Sequence, residues 1–343
     1  MLKVNLKKIC HNDFITGHSM SALAHGLAVG TILSMGCAAD TLADTYPNRP
    51  VRLIVGFPAG GVSDFMARTL GQKLSAALST PFVIDNRPGA GTVIASDITA
   101  KAPADGYTLF MAGTTFSLTA SLHAHLPFDP IKDFAGIGLV SIAPQVLVAY
   151  TGLPVKNMNE LMNLAKTQPG VLNFASSGTG STSHLAGELF NHMAHIQLTH
   201  IPYKGGSSAM MTDLLAGRVQ VLFLSLTGAL PQIKARRVNP IAVTSKSRAR
   251  AVPEIPTFNE SGIPGYEAVS WNGLMAPKAT PRMIIKTLNQ QINKILTSPE
   301  LIELLQLQGA EPQGGSEHAF EQYVKNDISK WKDLIQSTSI KAE

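Results

Sequence analysis

The feature that most constrains this chain is an alternation of short β-rich runs and helical-period runs. It occurs twice, each time with a Gly-, Ser- and Thr-rich loop where strand gives way to helix. In the first block, residues 51–55 are β-rich and residues 57–61 break the run. Met66, Leu70, Leu74 and Leu78 then recur at helical spacing. Phe82, Val83 and Ile84 predict a second strand, residues 86–91 a turn, Ile94 and Ile98 one face of a helix, and residues 107–111 a third strand. A β-α-β-α-β order needs crossover connections, so the strands run parallel with helices on both faces.

The pattern restarts further on. Asn157 followed by Glu160 predicts a capped helix start. Residues 172–176 read as a strand, 178–182 as a loop, and Leu185, Leu189 and Met193 as a helix face. A strand ending near Tyr203, a helix over 210–215 and strands over 219–224 and 241–244 follow. The last stretch is helical over 281–297, 299–307 and 316–335, with Ser316 placed as an N-cap. The expected fold class is therefore α/β: two doubly wound α/β lobes with a cleft between them. Apolar runs at 139–149 and 271–275 mark where the chain crosses. That gives 44–142 with 272–343 as lobe one and 143–271 as lobe two. A length of 343 residues agrees with two domains.

In open α/β sheets, ligands sit beyond the carboxyl ends of the strands. Here those ends carry the Gly-rich loops. Glycine lets backbone approach a ligand closely, and a helix amino end offers unpaired N–H groups with partial positive charge. The candidates in the first loop are Phe57, Ala59, Gly60, Gly61, Ser63 and Asp64. Those in the second are Ser177, Thr179, Gly180, Ser181, Thr182 and His184. Each loop could equally be an ordinary turn with its N-cap, and Asp64 and His184 suit fixing a helix start as well as touching a ligand. Thr114 and Thr115 follow the third strand and can line the same cleft or form a turn. Tyr203, Lys204 and Ser225 sit at strand ends of the second block, where Lys204 would favour an anion or simply face solvent.

Catalytic patterns are missing. No G-x-S-x-G surrounds Ser63 or Ser181, no phosphate-binding G-x-x-x-x-G-K-[ST] loop exists, and no complete G-x-G-x-x-G follows a strand. His184 has no acid at a readable spacing, and His192 with His195 lacks a carboxylate or Cys to complete a zinc site. No enzyme activity, metal or cofactor is expected. The formal charge is +5, but the 28 basic residues are dispersed, which argues against a nucleic-acid arm.

Lys3, Lys7 and Lys8, an apolar run over 20–39 and small residues up to Ala39 and Ala43 form the pattern of a cleavable export signal over 1–43. The only two cysteines, Cys10 and Cys37, both fall inside it. The remaining chain then has no thiolate or disulfide and depends on its core, as suits an exported bacterial protein of this size.

These pieces together resemble one family. The matching residues are Tyr46-Pro47, Arg49 to Arg52, the 57–64 loop, residues 86–91 (NRPGAG) and 105–109 (DGYTL). Further matches are Asp129-Pro130, 132–134 (KDF), 172–176 (LNFAS), 184–190 (HLAGELF), 202–205 (PYKG), 213–215 (DLL), 242–245 (AVTS), 253–257, 262–266 (GIPGY) and 309–312 (GAEP). In order and over the whole chain after the signal, the sequence resembles the binding receptors of tripartite tricarboxylate transporters, the Bug/TctC family. The resemblance implies a periplasmic binding protein fold of type II character that closes on its ligand about two crossings. It implies capture of a small carboxylate (a di- or tricarboxylate, an acidic amino acid or an aromatic acid) by the 57–64 and 177–184 loops. It further implies a periplasmic monomer that delivers this ligand to the membrane components of such a transporter. The alternative is an orphan sensor presenting a carboxylate to a membrane histidine kinase. Two departures stand out: Ala59 replaces the usual second Pro of the first loop, and Thr92 replaces a usual Gly.

Overall fold

A computed structural model describes residues 46–203 and 206–338; the expected export signal and Lys204 lie outside them. The first block folds as β1 (Val51–Val55), α1 (Val62–Leu78), β2 (Phe82–Asn86), α2 (Val93–Ala100), β3 (Thr108–Gly113) and α3 (Thr114–Leu122). A long strand, β4 (Phe134–Tyr150), leads to α4 (Met158–Thr167), β5 (Asn173–Ser176), α5 (Thr182–Ala194), β6 (Thr199–Pro202), α6 (Gly206–Leu215) and β7 (Val221–Ser225). The chain finishes through α7 (Leu226–Lys234), β8 (Val238–Val243), β9 (Val269–Pro277), α8 (Arg282–Leu296), α9 (Pro299–Leu307), β10 (Glu311–Pro312) and α10 (Glu317–Thr338).

The strands order as β2-β1-β3-β9-β4-β7-β5-β6, with β8 and β10 also pairing with β4. Each end of this order is a parallel trio, β2-β1-β3 and β6-β5-β7, bordered by an antiparallel strand, β9 and β4 respectively. The two halves are thus the same motif written twice. β4 serves both: its residues 134–144 pair with β9, and residues 145–150 pair with β7 and β8. The crossing falls at Pro144–Gln145. There the Gln145 N–H donates to Thr244 Oγ1 (2.8 Å), and its carbonyl accepts from the Thr244 N–H (2.9 Å).

Both faces of each half are covered, which explains the continuous apolar runs of the parallel strands. Alternate residues enter opposite layers. In β1, Leu53 and Val55 pack with α1 and α8, while Ile54 joins Phe110, Phe116 and Trp271. In β4, Leu147 packs with Phe174, Phe190 and Phe223, while Val146 and Val148 join Met210 and Leu222. α10 touches both halves. Its Phe320 and Val324 pack in the first, and Trp331 and Leu334 in the second.

The sequence reading places the elements of both parallel trios, the capped start of α4 at Asn157 (its side chain accepts from the Glu160 N–H, 3.0 Å) and Ser316 as a cap accepting from Ala319 (3.1 Å). It differs where Thr114 and Thr115 open a helix rather than a turn, and where β4 begins at Phe134 rather than 139 and β8 at Val238 rather than 241; α7 forms, with Pro231 inside it, in a stretch for which no element was read.

Candidate functional site

The two strand-to-helix loops are built alike. In the first, Gly60 has φ +89°, and its N–H donates to Asp64 Oδ2 four residues on (2.9 Å). In the second, Gly180 has φ +76°, and its N–H donates to His184 Nδ1 four residues on (3.1 Å). The left-handed backbone is what glycine supplies at both sites. A side chain of the first helical turn ties each loop to its helix.

Asp64 is buried. Besides Gly60, Oδ2 accepts from Arg68 Nε (2.9 Å), and Oδ1 accepts from Asn86 Nδ2 (2.9 Å), whose amide also holds the Phe57 carbonyl. The Arg68 hydrogen bond outweighs burial, and with help from Gly60 and Asn86 it lowers the Asp64 pKa to about 2. Phe57 is half-buried against the first core, whereas Ala59, Gly60 and Gly61 are exposed. No side chain caps α1 at Gly61, so the N–H groups of Val62, Ser63 and Asp64 have no acceptor within the helix. Ser63 Oγ donates to Asn272 Oδ1 on β9 (3.1 Å), and Thr114 Oγ1 accepts from the neighbouring Trp271 N–H (2.8 Å). β9 therefore gathers the first loop and the start of α3. Thr115 is half-buried.

In the second loop Ser181 caps α5, accepting from the His184 N–H (3.3 Å) and donating to the Gly178 carbonyl (2.7 Å). Ser183 Oγ bridges Ser177 N–H (3.1 Å) and Ser181 Oγ (3.1 Å). Thr179 is exposed and Thr182 half-buried. His184 is buried in a column of rings, 3.9 Å from His200, which stands 5.0 Å from Phe174. Burial, then the proximity of His200, lowers the His184 pKa to about 4, so the ring is neutral at pH 7. With Nδ1 accepting from Gly180, the proton sits on Nε2, 3.8 Å from Glu188 Oε1, so an acid does stand beside His184 at helical i+4 spacing, where the sequence reading found none.

Ser177, Thr182, Ser183 and Ser225 meet Gln145 and Ser270 around a cavity of about 170 Å³. Ser270 and Asn272 lie two apart on β9 and so share a face, linking this cavity to the Ser63 contact. Tyr203 is turned elsewhere: its hydroxyl donates to Asp213 Oδ2 (2.6 Å), and burial followed by that carboxylate pushes its pKa up to about 12. Gln145, Ser270, Asn272 and His200 were not singled out from the sequence. The only signal for Gln145 is one polar residue inside an apolar strand run.

The hydroxyl-lined cavity at the crossing strands takes Ser177, Thr182 and Ser183 from the second loop but none of residues 57–64, which reach β9 through the Ser63–Asn272 bond. Twin α/β halves, each with a braced helix start, define a two-lobed solute-binding architecture. Residues 66–340 match TctC, the tripartite tricarboxylate transporter family receptor. BugT of Bordetella pertussis is 36% identical over 312 residues, covering 90% of this chain and 95% of BugT. A solved R. palustris protein with adipate is 36% identical, with a TM-score of 0.66 over 86% of this chain and 99% of that one. MatC from Rhodopseudomonas palustris with bound malate is 29% identical, with a TM-score of 0.62 over 84% and 100%. The chain belongs to the tripartite tricarboxylate transporter receptor family, which is a family of solute-binding receptors.

Proposed function

We propose that this protein is a periplasmic receptor that captures a small carboxylate between its halves and delivers it to the membrane components of a tripartite tricarboxylate transporter, without chemical turnover. Residues 1–43 serve as its cleaved export signal. Residues 44–142 with 272–343 form one lobe and 143–271 the other, closing about Gln145 and Ser270. The carrying observation is the matched pair of loops, in which Asp64 and His184 hold glycine turns so that first-turn N–H groups stay available to an anion. Adipate and malate in the related structures support the same ligand class.

The test is a thermal-shift screen of the mature protein against mono-, di- and tricarboxylates, acidic amino acids and aromatic acids. A ligand present at 100 times its Kd should stabilise the fold by about 2.7 kcal/mol through mass action. Gly60→Pro, which removes the N–H to Asp64, and Ser181→Ala, which uncaps α5, should each weaken that binding at least about tenfold. Unchanged affinity in both variants would remove these loops from the site.

A further inference from the structure

Gln145 is the residue of this region that the protein leaves unfinished. Its backbone is pinned to Thr244 at the point where β4 passes from one half to the other. Gln145 is one of the residues around the 170 Å³ cavity, together with Ser177, Ser183 and Ser270. It is only 5% exposed, yet neither Nε2 nor Oε1 has a hydrogen-bond partner among the described residues. Buried amide groups in folded proteins are paired, because an unpaired one carries its full desolvation penalty. A carboxamide kept in this state beside a cavity is poised for a partner that arrives from outside.

The chemistry of that partner follows from the two atoms. Nε2 donates and can be satisfied by a carboxylate oxygen. Oε1 only accepts, so an ionised carboxylate leaves it unpaired; it needs an O–H or N–H from the ligand. An ammonium group would supply a donor but would also need an anion, and the described residues lining the cavity include no carboxylate. An alcohol hydroxyl satisfies Oε1 without that cost, and the serine hydroxyls around it can serve its oxygen. We propose that Gln145 is the specificity-determining residue of the site and selects carboxylates that carry an alcohol hydroxyl over their plain counterparts. The proposal rests on the carboxylate-capture reading above and narrows it to hydroxycarboxylates.

The experiment is isothermal titration of the mature protein with matched pairs: succinate and malate, glutarate and 2-hydroxyglutarate, with aspartate as the amino counterpart. The wild-type protein should bind at least one hydroxy acid about tenfold tighter than its plain partner, the scale of one well-placed buried hydrogen bond. Gln145→Leu and, as a second filling of the same space, Gln145→Met should cut that ratio to within about threefold, even where loss of the Nε2 donor weakens binding of both members of a pair. Equal binding of both members by the wild type, tighter binding of aspartate, or a preference that survives both substitutions each overturns the assignment and leaves carboxylate capture standing. The wild-type comparison does not depend on either variant folding. Failure of every acid to bind removes the carboxylate reading itself, and this inference with it.

Discussion

Replacing Thr92 by glycine should make this protein more stable. Thr92 adopts φ +74° and ψ 0°, the left-handed region, which costs an L-residue about 1–2 kcal/mol. Its side chain is buried, and its Oγ1 has no partner among the described residues, a further penalty of about 1 kcal/mol. Against this, glycine forfeits about 0.8 kcal/mol for each buried methyl group. It also loses about 0.5–1 kcal/mol more backbone entropy on folding. The balance favours Thr92→Gly by about 1 kcal/mol, which for a chain of this length raises Tm by about 2 °C. A Cβ on Gly56 would come within 2.8 Å of Thr92 Cγ2, so Thr92 fits beside the end of β1 because residue 56 is glycine. The assay is urea and thermal unfolding of the wild type, Thr92→Gly and Thr92→Ala. Alanine keeps the left-handed strain, so it should fall below glycine. A glycine variant less stable than the wild type, or an alanine variant as stable as the glycine one, would refute the strain argument.

Two further outcomes concern pH. The Asp64 pKa of about 2 lies below its ordinary value of 3.8, so the stability it contributes is fully present above 3.8 and is lost as pH falls through 2. The shift sets a ceiling of about 2 kcal/mol, nearer about 1 kcal/mol once solvent screening of the exposed Arg68 partner is allowed for. Asp64→Asn should therefore lower the urea midpoint at pH 7 and lose less than the wild type on acidification to pH 2.5; parallel losses would dismiss Asp64 as the loop brace. His184 is buried neutral with a pKa near 4, against an ordinary 6.5, so the unfolded chain takes up a proton that the fold refuses, and stability declines as pH drops from 6.5 to 4. The effect is about 2 kcal/mol at pH 5, less for the water that reaches the ring. His184→Gln retains an acceptor for Gly180 without titrating, so its unfolding midpoint should move less than the wild type's between pH 7 and pH 5, and an equal shift would count against a neutral His184.

The parallel trios were legible in the sequence because their strands are short, apolar and closed by glycine loops, and their helices carry one apolar stripe. What escaped has identifiable causes. α3 reads TTFSLTASL, rich in β-branched and small residues, and packs between the sheet and α10 with Phe116, Ser117, Leu118 and Thr119 all buried, so it shows no amphipathic stripe. The expected run at 139–149 omits Gly136 and Gly138, which lie within β4 where other elements come close: a Cβ on Gly136 would meet Glu321 Cγ at 2.8 Å, and one on Gly138 would meet Asn289 Nδ2 at 3.3 Å. The loop residues of the site were visible as residue types, but not their internal bonds. Tyr203 pairs with Asp213 ten positions away, which no periodicity announces. Gln145 was hidden because the direction of a strand side chain depends on register, and register here depends on where β4 leaves β9 for β7.

The twin loops also bear on how an anion is attracted. In each, the glycine N–H is spent internally, on Asp64 or on His184, so glycine is needed for its backbone conformation rather than as a ligand donor. The donors left over belong to the following residues of α1 and α5, which their braces hold at fixed positions. The two braces have opposite acid–base character but the same net effect. The Asp64 charge is answered by Arg68, and His184 carries no charge at pH 7. Neither half thus sets a net brace charge against an incoming carboxylate, and the pull comes from partial charges at two helix ends, which fall off within a turn. Such short-ranged attraction becomes strong only when both ends reach one ligand together. On the proposed capture of a carboxylate between the halves, their closure is then the step that creates affinity, and the Gln145 carboxamide at the crossing is proposed to decide which ligand completes it.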